Sequence, residues 1–300
     1  MKEWKISIEH GKISIGPDGK AEKGGAHRMT KEDRAEMLEN IAKFRLMDDT
    51  FFHTCLKDSK PGIEYILRTI LEEPELVVLD MHTQEDVPNI FGRSVIFDVF
   101  VRDADGREYN VEVQRAEEGA DPHRARYHAC VLDAMHVEKN MKWKKMPPTI
   151  VIFITETDVM GGGVPLYHVE RTVRELGGKR FEDDAEILYV NGACQDDTPL
   201  GRLMQDFACK DPLDMHSEIL AERVRFFKSD EHGVMMMCKI MEEFAKGQRE
   251  KGKAEGIAEK TLRTIRNQLK RHVAYEDIAS DNETTVDEVI RIAKESNLSY

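Results

Sequence analysis

The order of residue types predicts a mixed α/β fold that runs helix, three strands, helix, strand, followed by a helical C-terminal region. Three observations lead there. Segments 75–81, 94–102 and 149–155 are short and rich in Val, Ile, Leu and Phe, and 107–114 alternates polar and apolar residues, as strands do. Between the third and fourth, Asp121-Pro122 supplies an N-cap acid and a proline at the first helical position, opening a helix to about residue 140. Beyond Pro212, apolar residues recur at spacings of three to five, the period of helix.

The remaining elements follow in chain order. Within residues 1–29, Ile6-Ser7-Ile8 and Ile13-Ser14-Ile15 alternate amid Gly and Lys, which predicts a flexible arm or a small hairpin. Thr30 with Glu32 and Asp33 forms a helix start, continued by Met37, Leu38, Ile41 and Phe44. Pro61 opens a second helix, with Ile63, Ile66, Leu67, Ile70 and Leu71 on one stripe. Residues 182–186 and the pair Asp196 and Asp197 make an acidic, loop-rich segment, expected as a solvated face, around a strand at 187–190. In the tail, Gly247, Gly252 and Gly256 mark weak helix or a hinge between separate helices. At its end, 275–279 and 285–293 form two short helices, the second opened by the capping box Thr285-Val286-Asp287-Glu288. That hairpin resembles a helix-turn-helix, but its acidic second helix favours packing or self-association over reading a DNA groove. The expected division is an arm at 1–29, an α/β domain at 30–211 and a helical region at 212–300.

Composition sets limits on function. The 300 residues are 40% hydrophobic and 34% charged, enough apolar content for a folded core. No run approaches the length of a bilayer span and the start lacks a secretory stretch, so no membrane partner and a cytoplasmic location are expected. Cys55, Cys130, Cys194, Cys209 and Cys238 are scattered and odd in number, which points to neither a disulfide framework nor a zinc site. A net charge of −13 argues against a protein that coats nucleic acid, though not against an enzyme with a local basic track.

The chemistry-bearing segment is the hairpin Val95-Ile96-Phe97-Asp98-Val99-Phe100-Val101-Arg102, a turn at Ala104-Asp105-Gly106, then Arg107-Glu108-Tyr109-Asn110-Val111-Glu112-Val113-Gln114, preceded by Gly92-Arg93-Ser94. If Asp103 pairs with Arg107, Asp98 stands opposite Glu112, and Asp98, Glu112 and Gln114 share a face. Facing carboxylates raise each other's pKa, and an apolar setting adds a desolvation cost. A cation relieves both, and magnesium suits one or two carboxylates with water and phosphate oxygens. The opposing reading is an exposed Glu112 on a polar face and an Asp98 paired with a nearby Arg.

Asp98, then Glu112-Val113-Gln114, then Arg124-Ala125-Arg126-Tyr127 on a helix and the apolar strand at 150–154 together resemble the PD-(D/E)XK nuclease superfamily. Within it they are similar to the recombination-promoting nuclease branch, also called PD-(D/E)XK nuclease family transposase. The tail stretch Glu250-Lys251-Gly252-Lys253-Ala254-Glu255-Gly256 is similar to that branch as well. The resemblance implies a restriction-endonuclease-like α-β-β-β-α-β core, a mixed sheet flanked by helices. It also implies Mg²⁺ or another divalent cation such as Mn²⁺ on Asp98 and Glu112, and hydrolysis of DNA. Gln114 falls where the superfamily usually has Lys, and Phe97 where its name puts Pro. On this reading the catalytic residues are Asp98, Glu112 and Gln114, and Arg124, Arg126 and Tyr127 contact DNA. Alternatively, Arg124 and Arg126 are solvated or paired with Asp121 on a helix laid over the sheet through Tyr127, Val131 and Ala134.

Asp48 and Asp49 resemble the acidic start of the family's first motif; Asp49 is either a third ligand or a helix cap. Lys142, Lys144 and Lys145 around Trp143 form either a DNA track or a charged turn before Pro147-Pro148. Two function classes follow. One is a metal-dependent DNA endonuclease connected with recombination or mobile DNA. The other is a catalytically inactive nuclease-like fold acting as a binding or oligomerisation module, with the helical region as the surface for self-association.

Overall fold

A computed structural model describes residues 5–9, 12–16, 31–87, 95–137 and 140–298, and residues 1–40 and 41–300 form two compact units. In the first unit, β1 (Lys5–Glu9) and β2 (Lys12–Gly16) pair antiparallel with Ile6 opposite Ile15 and Ile8 opposite Ile13, so the small hairpin is the form taken. Helix α1 (Lys31–Lys43) follows, and its expected cap Thr30 lies outside the described residues.

The second unit opens with α2 (Asp49–Leu56) and α3 (Lys60–Leu71). It continues with β3 (Val78–Val87), β4 (Val95–Asp103), β5 (Glu108–Gln114), α4 (Pro122–His136) and β6 (Thr149–Thr155). Then come β7 (Leu166–Val169), the short pair β8 (Thr172–Val173) and β9 (Lys179–Arg180), β10 (Ala185–Asn191) and α5 (Pro199–Ala208). The sheet runs β3-β4-β5-β6-β10-β7, antiparallel except where β5 and β10 flank β6 in parallel. This is the expected mixed sheet with flanking helices.

Each element has a local cause. All seven residues of β6 are buried, because a central strand covered on both faces loses the polar alternation of a half-exposed one. Helix α3 buries the stripe Ile63, Ile66, Leu67 and Ile70, with Pro61 in its first turn. Asp121 caps α4 by accepting the His123 N–H, and Ala125, Val131 and Leu132 pack the helix onto Phe97, Val151, Phe153 and Tyr189. Ala134, expected in that contact, is exposed.

Three expectations change. Helix α2 was not foreseen, since eight residues buried along most of their length display no 3.6-residue period. Strand β3 begins three residues later than expected and runs on through polar positions such as Asp80 and His82; it is an edge strand, where such residues are tolerated. In the acidic segment, Arg171–Asp183 and Arg180–Glu170 ion pairs at 2.8 and 2.7 Å fasten part of the loop. The chain beyond it forms α5, capped by Thr198 with Pro199 at its start.

The C-terminal region comprises α6 (Glu218–Ser229), α7 (Glu231–Lys270), α8 (Tyr275–Asp281) and α9 (Val286–Glu295). Helix α7 is continuous over 40 residues and passes through Gly247, Gly252 and Gly256, so of the two readings the helix holds and the hinge does not. Glycine weakens a helix by about 1 kcal/mol but forces no turn. Both ends of α7 are secured, the first against α6 and the last in a core of Ile265, Leu269, Ile278, Val289 and Ile292. Thr285 caps α9 as expected, accepting the Glu288 N–H, while the Glu288 carboxylate pairs with Arg291. Among the described residues, no helix is long and apolar enough to cross a membrane.

The hairpin that carries the two acids is closed by Gly106 at φ 80° and tied down by Asp103. Asp103 is buried; its Oδ2 accepts from Arg107 Nε and the Tyr109 hydroxyl, both at 2.7 Å, and Arg107 also binds Glu73 at 2.7 and 2.6 Å. Asp103→Ala strands the buried Tyr109 hydroxyl and part of Arg107, so a loss of about 3 kcal/mol is expected in chemical denaturation.

Candidate functional site

Strands β4 and β5 pair Arg102 with Glu108, Val101 with Tyr109, Phe100 with Asn110 and Val99 with Val111. Continued by one step, this register sets Asp98 against Glu112, but there the backbone ladder gives way. The Asp98 N–H donates to Glu112 Oε1 at 3.1 Å, and the Val113 N–H donates to Asp98 Oδ2 at 3.0 Å. On its other edge, β4 passes from Val99 opposite Thr83 to Phe97 opposite Glu85, and Gln84 between them has φ 55°. Regular alternation would present Asp98, Glu112 and Gln114 together. In the structure Glu112 and Gln114 bond to Arg124 of α4, whereas Asp98 Oδ1 faces His53 of α2. The exposed-strand reading of Glu112 fails, since Glu112 is 0% and Asp98 8% exposed.

On the α4 side, Arg124 turns inward rather than toward Asp121. Its Nη2 reaches Glu112 Oε2 at 3.1 Å, and its Nη1 reaches Gln114 Oε1 at 3.1 Å and the Gly119 carbonyl at 2.9 Å. Gln114 Nε2 lies 3.5 Å from Glu112 Oε2. Arg124 Nε donates to Nε2 of the buried His128 at 3.3 Å, and His128 Nδ1 lies 3.0 Å from the Asn110 side-chain amide and 3.4 Å from Glu112 Oε1. The turn that offers the Gly119 carbonyl is pinned by the Tyr189 hydroxyl donating to the Ala120 carbonyl at 3.0 Å.

On the α2 side, Asp98 Oδ1 faces His53 Nε2 at 3.6 Å, beyond hydrogen-bond range, and has no hydrogen-bond partner among the described residues. His53 Nε2 also lies 2.6 Å from Asp49 Oδ1, and its Nδ1 is buried without a partner. One ligand atom each from Asp49, His53 and Asp98 lies within 4.8 Å of the others. Sequence reading weighed Asp49 and missed His53, whose only signal is its place four residues after Asp49 on what proves to be a helix. Asp48 takes a different part: with Glu156 it binds Arg45 and Arg115, which ties the start of α2 to the residue after Gln114.

Arg126 is exposed on α4, and half-buried Tyr127 packs beside the sheet core. Trp143, Lys144 and Lys145 form an exposed 3-10 turn.

Burial first, and then the Glu112 charge, hold the Asp98 carboxyl well above the usual carboxylate range; His53 and the Val113 N–H offset part of this. Burial lowers the His53 pKa, but its bond to Asp49 and the charges of Asp98, Asp49 and Glu112 outweigh that and leave it raised. The donor set suits a divalent cation: a buried acid with one oxygen free of hydrogen bonds, beside two further carboxylates and an imidazole.

Since the folded Asp98 pKa lies above the unfolded value of about 3.9, its ionisation opposes folding, and stability falls as pH rises through the folded value. Asp98→Asn in EDTA should therefore melt higher than the native protein at pH 8, with the gap narrowing at pH 5, as read by calorimetry. A Cβ on Gly119 would lie 2.1 Å from Gln114 Oε1, the tip of a flexible side chain. Gly119→Ala should fold with little loss of stability while displacing the Gln114 amide from Arg124, visible in a crystal structure of the variant.

No curated protein and no solved structure matches the chain. A family model does, and it covers β3 to β10 together with both acids, Gln114 and α4. Residues 63–193 match the model described as PD-(D/E)XK nuclease family transposase.

Proposed function

We propose that this protein is a metal-dependent DNA endonuclease that hydrolyses phosphodiester bonds at a site built from Asp98, Glu112 and Gln114. The observation that carries the reading is the pair of buried carboxylates at the interrupted β4–β5 ladder, inside the segment that matches the nuclease family. Asp98 and Glu112 would hold magnesium or another divalent ion such as manganese. When bound, such an ion polarises a phosphate oxygen and acidifies water near it.

The chain's own groups have distinct tasks around that ion. Gln114 cannot supply the positive charge of the lysine usual at its position, but its Nε2 can donate to a phosphate oxygen or orient the attacking water. Its Oε1 is held by Arg124, which brings a permanent guanidinium charge to the same place from α4. Arg124 thus stands in for the missing lysine charge and can move from Glu112 onto the phosphate as substrate enters. Arg126 and Tyr127, further along α4, contact the strand being cut. A role in recombination or on mobile DNA, a cytoplasmic location, the division at 30–211 and 212–300, and self-association through the helical region belong to the same proposal.

One observation favours a catalytically inactive binding or oligomerisation module instead. Both oxygens of Glu112 are already engaged by protein donors, so an ion binds there only if Arg124 lets go.

Plasmid nicking by the purified chain in magnesium, manganese, calcium or EDTA, beside Asp98→Ala, separates the two. Nicking with magnesium or manganese, none in EDTA and a loss of about 100-fold or more in the variant are expected. Absence of cleavage with every metal, on single- and double-stranded DNA alike, would favour the inactive module.

A further inference from the structure

We propose that Lys142, Trp143, Lys144 and Lys145 form a second DNA contact, in which Trp143 stacks on an unpaired base and the lysines hold phosphates about six nucleotides from the bond that is cut. The substrate class is then DNA with a single-stranded segment beside the cleavage position. The inference deepens the nuclease reading and rests on it for the place of the cut, not for the contact itself.

The turn is fixed in the fold and presents its side chains outward. The Lys145 N–H donates to the Lys142 carbonyl at 2.8 Å and the Met146 N–H to that of Trp143 at 3.1 Å, which closes a single 3-10 turn. Pro147 and Pro148 follow, and the Pro148 carbonyl accepts the Glu108 N–H at 2.9 Å, so the turn is anchored where β5 and β6 begin. Trp143 is 76% exposed, and the three lysines around it are exposed too. An indole left in water between cations serves no packing, but it fits a ligand that brings both a flat ring and negative charge.

Charge complementarity favours this patch in an acidic chain. In the segment before β10, which borders β6, Arg171, Lys179 and Arg180 pair with Asp183, Glu182 and Glu170. Among the described residues, Lys142, Lys144 and Lys145 pair with no carboxylate. Two acids near the start of β6 are engaged elsewhere: Asp133 accepts from the Thr149 hydroxyl at 2.9 Å, and Glu108 holds Arg102 at 2.8 Å. Exposed Asp184, whose carbonyl accepts the Thr149 N–H, offsets part of the three lysine charges.

The sheet and α4 relate the patch to the cut. From Glu108 to Gln114, β5 covers about 20 Å at about 3.3 Å per residue, and DNA advances about 3.4 Å per nucleotide. Helix α4 bridges a like interval, 15 residues or about 22 Å, with Arg124 at Glu112 near its start. One exposed line along it is His123, Arg126, Cys130 and Ala134, ending at Val137 just past the helix. A strand leaving Arg126 along this line meets short, uncharged side chains rather than acids.

The test is binding of oligo(dT) of about 12 nucleotides, twice the proposed span, and of a duplex of equal length to the full chain in EDTA. Trp4→Phe leaves Trp143 as the single tryptophan, so its fluorescence reports the contact. Oligo(dT) should quench Trp143 and bind more tightly than the duplex. Trp143→Ala should weaken oligo(dT) binding about ten-fold, and Trp143→Phe should restore most of it. Changing Lys142, Lys144 and Lys145 together to Gln should lower the slope of log Kd against log salt by about two. Unquenched Trp143, with oligo(dT) binding indifferent to Trp143→Ala, would overturn this proposal while leaving cleavage at Asp98 and Glu112 standing. A blue shift with phosphatidylglycerol vesicles and no response to DNA would also overturn it, assigning the turn to a membrane surface. Quenching by oligo(dT) in a chain that nicks no DNA with any metal would support the contact and overturn the nuclease reading alone.

Discussion

The exchange of ladder bonds for carboxylate bonds at Asp98 and Glu112 is the constraint around which the rest of the second unit is arranged. Each acid accepts an N–H from the other's strand, so the strands stay linked while regular pairing stops. Backbone donors that would otherwise be buried and unmet are satisfied, and two acids are held in the sheet interior where neither would otherwise be stable. The two carboxylates also have different helix partners: α4 brings Arg124 and His128 to Glu112, and α2 brings His53, with Asp49 beside it, toward Asp98.

Such a site needs rigid support, because burying like charges opposes folding. The support is distributed. At one end of the hairpin, Asp103, Arg107, Tyr109 and Glu73 fasten the turn to the end of α3. At the other, Arg45, Arg115, Asp48 and Glu156 fasten α2 to the end of β5. The second cluster is partly exposed, so its Coulomb attraction is screened and its main effect is to fix geometry, whereas the first is centred on buried Asp103 and Tyr109. Beneath them, the fully buried β6 and the ring stack of Phe153 on Tyr189 provide the apolar base.

The helical region has a different logic. Its long α7 carries charge pairs such as Lys239–Glu243 on its surface and a small separate core at its far end with α8 and α9. Three glycines in the intervening stretch have open space around them, so they lower helix stability without serving close packing. A helix that spans such a stretch is sustained by packing at its two ends.

By itself the sequence determined the strands of the sheet centre, the capped helix α4, the hairpin register that opposes Asp98 to Glu112, and the helical character of the tail. These rest on local causes: hydrophobic runs, a Pro behind an N-cap acid, a glycine able to take positive φ. The tertiary structure alone decided the rest. Helix α2 is too short and too buried to have a period, and β3 is a polar edge strand whose start depends on its partner. The ladder's break at Asp98 depends on side chains accepting amides across two strands, and no alternation pattern encodes that. Likewise, Arg124 turning inward and His53 joining Asp98 bring together residues 12 and 45 positions apart from the acids they meet, a proximity set by packing rather than by spacing along the chain.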